Sequence, residues 1–394
     1  MANNHSETES PDGFVKRVGR WTNDNSHVIA RIPGAFSLFR TIYNKLYAVP
    51  DSDVQAAKAL PRKRGGKIER ILIISPQSWD TSRVEWAPAT GSYFYEIWKS
   101  AIERYGPEAV SLHQVAPGDL DWKNKALRAV EDYKPSHILI QGEEDPNGDP
   151  YALTQFAAGL GKIWDGQLIL LMYDSVYWWH IYKAENIARV YPQTSVHAID
   201  RHPKELRKVL NISGPGVLPT SLETLRALEK SDAWINKPSD MSRLTFVGSL
   251  YPDRLKQLSK FERFGIDIDV NPHRRGRTDR PSYSEYSAAI GHSWATINLS
   301  RNHGMPSKHV KTRVLEAPLF GTVLFSDEKK MSSLMIPEDS FVYFKNKRQL
   351  AKKVKFFREN PAEFDALKAR GHQKALEITN SIFWEVIESG VIAS

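Results

Sequence analysis

Short continuous apolar runs alternate with stretches of helical spacing along most of this chain. Arg70–Ser75 (RILIIS), Pro135–Gln141 (PSHILIQ) and Gln167–Tyr173 (QLILLMY) show no regular polar face. That is the pattern of strands covered on both sides in a parallel sheet. Ser92–Tyr105, Lys123–Tyr133 and Ala152–Leu160 lie between them and space their apolar residues as helices do. Ala109–Val115 and Val196–Ile199 read as further strands, and 76–90 as a loop. The alternation predicts a doubly wound α/β sheet.

The same alternation resumes after a turn-rich join at Gly214–Pro219 and a helix over Leu222–Lys230. Strands are predicted at Leu244–Val247, Ile266–Val270, Trp294–Leu299, Thr322–Phe325 and Phe341–Phe344. Helices are predicted at Arg254–Phe264, Tyr283–Ile290, Lys308–Leu319, Arg348–Arg358, Ala362–Glu377 and Ile382–Ile392. The expected organisation is two Rossmann-like domains, 67–220 and 240–380, whose strand ends face one cleft. Residues 1–66 read as a polar, disordered leader plus a helix over Ala35–Tyr47, and 381–394 as a C-terminal helix.

Composition narrows the function classes. The chain has 394 residues and no cysteine, which excludes disulfides, thiolate metal sites and a cysteine nucleophile. It holds no apolar run long enough to span a bilayer and no signal-peptide core, so the default expectation is a cytoplasmic protein. A net charge of +8 suits an anionic partner, whether nucleotide, nucleic acid or membrane face.

One stretch carries unusual charge. Lys308, His309, Lys311 and Arg313 crowd the start of the predicted helix that Gly321 ends. A helix N-terminus already carries roughly half a positive charge. Four basic groups there are unfavourable unless an anion docks on them, and phosphate is the usual one. Glu316 follows three residues after Arg313. The plain alternative is a solvated basic turn with an Arg313–Glu316 surface pair. The loop His273–Arg280 (HRRGRTDR) is the densest basic run, and it too is either an anion site or simply solvated.

Four segments in order carry a resemblance. They are FVGSLYPDR (246–254), TINLS (296–300), TRVLEAPLFGTVLFSD (312–327) and LAKKVKFFRENPAEFDALKARGHQKAL (350–376). They resemble the C-terminal domain of GT-B glycosyltransferases, and within these the CgeB-like, spore-maturation branch. The match covers roughly 240–380. The resemblance implies transfer of a sugar from a nucleotide-diphosphate donor, such as a UDP- or GDP-sugar, with the acceptor held by the first domain. Glu316 would hold the ribose hydroxyls. Arg313 would neutralise the diphosphate, Gly248 would let backbone approach the phosphates, and Arg254 would add charge. One position departs from the pattern: related retaining enzymes often carry a second glutamate eight positions before the ribose-binding one, and here that position is Lys308.

The leaving nucleoside diphosphate develops charge that Arg301, Lys308, Lys311 and Arg313 can stabilise without a metal. No Asp-x-Asp supports a metal-dependent site, so no metal or cofactor is expected. An inverting reaction needs a base. Asp174, at the end of a predicted strand, is the first candidate and His180 the second; a turn aspartate and a packed histidine are the plain readings. Glu143, Glu144 and Asp145 end another strand and could bind an acceptor or cap a turn. A retaining reaction could pass the proton to the leaving phosphate instead. The acceptor stays open among small molecules, glycans, proteins and nucleic acids. The alternative function is a non-catalytic nucleotide-sugar or nucleic-acid binding protein of the same fold.

Overall fold

The computed structural model describes residues 37–38, 40–41, 49–60, 65–80, 85–88, 93–116, 118–142, 152–172, 178–198, 211–213, 218–230, 243–248, 250, 252–271, 283–301, 311–330, 332–379 and 381–389. Its first sheet contains β1 (Ile71–Asp80), β2 (Glu85–Pro88), β3 (Val110–Val115), β4 (His137–Gln141), β5 (Gln167–Met172), β6 (Thr194–Ala198) and β7 (Asn211–Ser213). The parallel strands run β3-β1-β4-β5-β6-β7, and β2 pairs antiparallel with the far end of β1. The second sheet holds β8 (Arg243–Phe246), β9 (Asp267–Val270), β10 (Ala295–Asn298), β11 (Val323–Ser326) and β12 (Val342–Tyr343). Its order is β12-β11-β10-β8-β9, all parallel.

Twelve helices among the described residues pack on these sheets. In the first half they are α1 (Asp51–Lys58), α2 (Tyr93–Tyr105), α3 (Trp122–Tyr133), α4 (Ala152–Ile163) and α5 (Trp178–Val190). Then come α6 (Leu222–Glu229), α7 (Pro252–Glu262), α8 (Tyr283–Gly291), α9 (Arg313–Leu319), α10 (Lys347–Glu359), α11 (Pro361–Ile378) and α12 (Ser381–Ser389). Strand side chains alternate between faces, so each sheet feeds two cores. Leu72, Ile74, Ile138, Leu168 and Leu170 pack with α3, α4 and α5. Ile71, Ile73, Leu139, Ile169 and Leu171 share a core with α2, α12 and, across the join, with Ile290, Val314 and Leu315 of the second half. The other face of the second sheet packs with α7, α10 and α11 through Leu258, Phe261, Leu350, Val354 and Phe364.

The chain crosses between the halves twice. The first crossing is Leu218–Ser221, where buried Glu96 of α2 accepts from the Ser221 N–H at 2.8 Å and the Thr224 hydroxyl at 2.7 Å. The second leads from α11 into α12, which docks on the first half. There the Trp384 Nε1 donates to the Ser100 hydroxyl at 3.2 Å, and the Gly66 N–H donates to the Glu388 carbonyl at 2.7 Å. The two crossings touch: the Thr220 N–H donates to the Thr379 hydroxyl at 3.2 Å, and both residues are buried.

Several expectations need correction. The stretch 76–90 is not all loop, because β1 continues to Asp80 and pairs with β2, with Gln77 opposite Pro88 and Asp80 opposite Glu85. Backbone pairing holds this ribbon, so it leaves no apolar run to read. Helix α5 was not expected from spacing, since residues 180–187 are buried all round and show no polar face. Helices α1 and the short strand β7 are also additional. The helix expected from Lys308 begins at Arg313 and is seven residues long. Gly321 does sit just past its end with φ +67°, the left-handed conformation that ends helices.

Candidate functional site

The second sheet reverses its strand order between β8 and β10. In an open parallel sheet, ligands bind beyond the carboxyl ends of the strands at such a switch point. The loop that leaves β8 carries Gly248 and leads into α7, which carries Arg254, and the loop that leaves β10 carries Arg301. Helix α9, next in the chain after β10, brings Arg313 and Glu316.

Backbone conformation shapes this corner. Asn271, just after β9, has φ +46°, a left-handed state that asparagine tolerates better than most residues. Its side-chain amide clamps Gly248 from both sides. The Gly248 N–H donates to Asn271 Oδ1 at 2.7 Å, and Asn271 Nδ2 donates to the Gly248 carbonyl at 2.8 Å. Gly248 itself has φ +154°, and a Cβ there would stand 3.0 Å from Arg313 Nη2. The φ calls for glycine, and a Cβ would also press on the end of the Arg313 side chain. Gly248→Ala should cost about 1–3 kcal/mol of stability through backbone strain and displace Arg313. Chemical denaturation and donor titration on that variant check both effects.

Two guanidiniums flank one ring. Arg254 and Arg313 lie with their carbons 5.5 and 5.4 Å from the Phe246 ring centre. Both are buried, at 7% and 9% exposure. Arg254 Nη2 donates to the Arg301 carbonyl at 2.8 Å, which ties the start of α7 to the β10 loop. Arg313 Nε is buried and has no hydrogen-bond partner. A buried cation with an unmade bond is costly, and an anion bound beside it would remove that cost.

Glu316, one turn further along α9, is 5% exposed. Its Oε2 accepts from the Tyr286 hydroxyl at 2.6 Å and from the Thr312 hydroxyl at 3.1 Å. Oε1 takes neither bond. Burial raises the Glu316 pKa above the usual carboxylate value, opposed by the Tyr286 bond, the Arg313 charge and the Thr312 bond. A small cavity lies against this carboxylate, walled by Thr312 and Met335 on one side and by Leu218, Pro219 and Thr220 of the first crossing on the other.

The structure thus gathers Gly248, Arg254, Arg301, Arg313 and Glu316 around the ends of β8 and β10. Lys311 is half-buried and precedes the Thr312 N-cap, so it is outside the helix. The crowded helix start therefore reduces to Arg313 at the first helical position. A seven-residue helix has a weak dipole, and the argument for an anion moves from the dipole to the buried guanidinium. The Arg313–Glu316 surface pair is excluded, because both residues are buried. Lys308, Asp174, Glu143, Glu144, Asp145 and the loop 273–280 lie outside the described residues. His180 is buried in α5 of the first half, followed by the core residues Ile181 and Tyr182. Tyr286, Asn271 and Phe246 were not singled out from the sequence. Only Asn271 left a signal there, as an asparagine directly after a predicted strand.

Two parallel, doubly wound sheets with their helices, joined by a double crossing, define the two-domain GT-B fold of glycosyltransferases. Residues 223–381 match the glycosyl transferase-like family, so the second half of the chain carries a glycosyl transferase-like domain. Among solved structures, an α-glucosyltransferase in complex with UDP-glucose and DNA containing an abasic site aligns with a TM-score of 0.56 at 12% identity, over 84% of this chain and 100% of that one. Anabaena HepE in complex with UDP-glucose aligns at 0.49 and 11% identity, over 82% and 99% of the two chains. Sucrose-phosphate synthase from Thermosynechococcus elongatus aligns at 0.45 and 12%, over 82% and 96%. Comparison with curated protein sequences finds no match. Among the described residues, no helix is long and apolar enough to cross a membrane.

Proposed function

We propose that the protein transfers a sugar from a nucleoside-diphosphate sugar to an acceptor hydroxyl, and that it belongs to the CgeB-like branch of GT-B enzymes. The observation that carries this is the buried Arg313 guanidinium, with its unpartnered Nε, one helical turn from the buried Glu316 carboxylate at the switch point of the second sheet. A cation and a diol acceptor one turn apart suit the diphosphate and the ribose of one ligand. In the transfer, the bond from the anomeric carbon to the diphosphate oxygen breaks and a bond to the acceptor oxygen forms. The electron pair leaves on the diphosphate, where Arg313 and Arg254 stabilise it. The acceptor proton passes to a base such as Asp174 or His180 if configuration inverts, or to the leaving phosphate if it is retained. Arg301, Lys308 and Lys311 add positive charge around the donor, and no step of this scheme uses a metal. Lys308, in place of the second glutamate of related enzymes, sets the donor sugar apart. A chain without cysteine fits work in the reducing cytoplasm.

The test is a panel of UDP- and GDP-sugars, in buffer with and without EDTA. Released nucleoside diphosphate and a donor-induced rise in Tm are the readouts, and UDP-glucose is the first donor to try. Slow hydrolysis should be seen in EDTA as well as without it. Neither shift nor turnover with any donor would overturn the proposal. A shift without turnover, whatever acceptor is added, would leave a nucleotide-sugar binding protein.

A further inference from the structure

Glu316 is held from two sides. Tyr286 stands on α8, and its ring packs against the core that the two halves share. Its hydroxyl donates to Glu316 Oε2 at 2.6 Å. Thr312 occupies the N-cap of α9, where a threonine hydroxyl usually accepts from a backbone N–H of the first turn. Here it makes no such cap bond and donates to the same Oε2 at 3.1 Å. Arg313 lies three residues before Glu316, within reach of a pair on one helix. Its guanidinium turns instead to Gly248 and to the Phe246 ring.

This choice of partners has a consequence. A bonded ion pair with Arg313 would commit each charge to the other. Two neutral hydroxyls hold the carboxylate without cancelling its charge, and they leave the guanidinium for a ligand. Both bonds meet one oxygen, one from α8 and one from the preceding turn of α9. That removes rotation which a glutamate near the start of a seven-residue helix would otherwise keep. A side chain ordered before its ligand arrives needs no further ordering on binding. Burial raises the Glu316 pKa, and the Tyr286 bond is the largest influence against it, ahead of the Arg313 charge and the Thr312 bond. Tyr286 and Arg313 are thus the titratable groups that face this carboxylate from α8 and α9. The first crossing and Met335 wall its cavity without a titratable group. From α11, His372 Nδ1 lies 3.1 Å from the Pro318 carbonyl, two residues beyond Glu316.

We propose that Tyr286 is a positioning residue of the donor site: with Thr312 it presents the Glu316 carboxylate to the ribose hydroxyls of a nucleoside-diphosphate donor. The proposal rests on the glycosyl-transfer reading and adds to it a group that acts through Glu316. The test is calorimetric titration of the full-length protein with UDP and GDP, each beside its 2′,3′-dideoxy form, over a series of pH values. The ratio of the two Kd values isolates the ribose hydroxyls, because titration of the diphosphate and of His372 enters both. The wild type should prefer the ribose form by at least about 10-fold where that preference is greatest. Tyr286→Phe keeps the ring and removes only the hydroxyl. It should bind the dideoxy form as the wild type does and reduce the ribose preference by about 5-fold or more. Its remaining preference should also disappear at a higher pH on acidification, because a bond that favours the charged carboxylate has been lost. Thr312→Val should move both quantities in the same direction by less, since its bond is the longer, and it carries the test if Tyr286→Phe does not fold. An unchanged preference and an unchanged pH profile in these variants would overturn the proposal. So would equal weakening of the ribose and dideoxy forms, which is what a merely structural tyrosine gives. A wild type that binds UDP or GDP with no preference for the ribose form would take the ribose from Glu316 and overturn it as well. A wild type that binds neither nucleotide would reject the transferase reading and this proposal with it.

Discussion

Arg313→Met is expected to lower turnover by about 10²–10³-fold with a much smaller effect on the stability of the fold. The two halves of that expectation have one origin. The guanidinium is 9% exposed and its Nε has no partner, so the free protein carries a desolvated, incompletely bonded cation. An apolar side chain of similar length removes that cost, but buried Glu316 then loses the neighbouring charge that holds its pKa down, so the two effects on stability oppose each other. The same incomplete bonding is available to a diphosphate whose charge grows as the sugar departs. Removing one preorganised donor of this kind costs about 2.7–4 kcal/mol at the transition state. Thermal melts of the free variant, set beside initial rates of nucleoside diphosphate release, measure both halves. A fall in stability with turnover preserved would make Arg313 a structural residue.

Glu316→Gln should separate stability from donor affinity in a pH-dependent way. Burial raises the folded-state pKa of Glu316 above its value in the unfolded chain. A group shifted in that direction contributes stability below the unfolded pKa, near 4.5, and that contribution is lost as pH rises through the folded one. Above its folded-state pKa the free enzyme therefore carries a buried carboxylate at a cost, and the glutamine variant does not. Its Tm should exceed the wild type's at pH 8, and the difference should vanish at pH 4. Donor affinity should move the other way. A carboxylate bonded to a ribose diol contributes more than an amide, since hydrogen bonds to charged groups are worth about 1.5–3 kcal/mol, or roughly 10–100-fold in Kd. The wild type should lose donor affinity on acidification at a higher pH than an ordinary carboxylate would set. Arg313→Met should push that loss higher still, because the Arg313 charge holds the Glu316 pKa down. Calorimetric titration with a nucleoside diphosphate across this range is the measurement. Unchanged affinity in Glu316→Gln would remove the ribose from this carboxylate.

Much of the scaffold was legible because it is written in apolar runs. Strands β4 and β5 are buried along nearly their whole length between helical layers, and they read directly from HILIQ and QLILLM. Arg313 and Glu316 were legible for a different reason: basic residues crowd the start of a predicted helix, and the segment that holds them, TRVLEAPLFGTVLFSD, resembles the GT-B pattern. What stayed hidden depends on partners far apart in the chain. Tyr286 reaches Glu316 across 30 positions and Asn271 reaches Gly248 across 23, and no local pattern announces either bond. The helix start was misplaced because the spacing of Val310, Val314, Leu315 and Leu319 continues past the point where the helix does.

The contact between the two crossings has a mechanical meaning. Because Thr220 and Thr379 are bonded to each other, the two connections form one seam rather than two separate straps. If one half swings against the other, the seam is the pivot, and displacement grows with distance from it. Glu316 faces a cavity that Leu218–Thr220 help to wall, so its lever arm is short. The ribose end of a donor would then keep its seat through an opening stroke, and the parts furthest from the seam would travel the most.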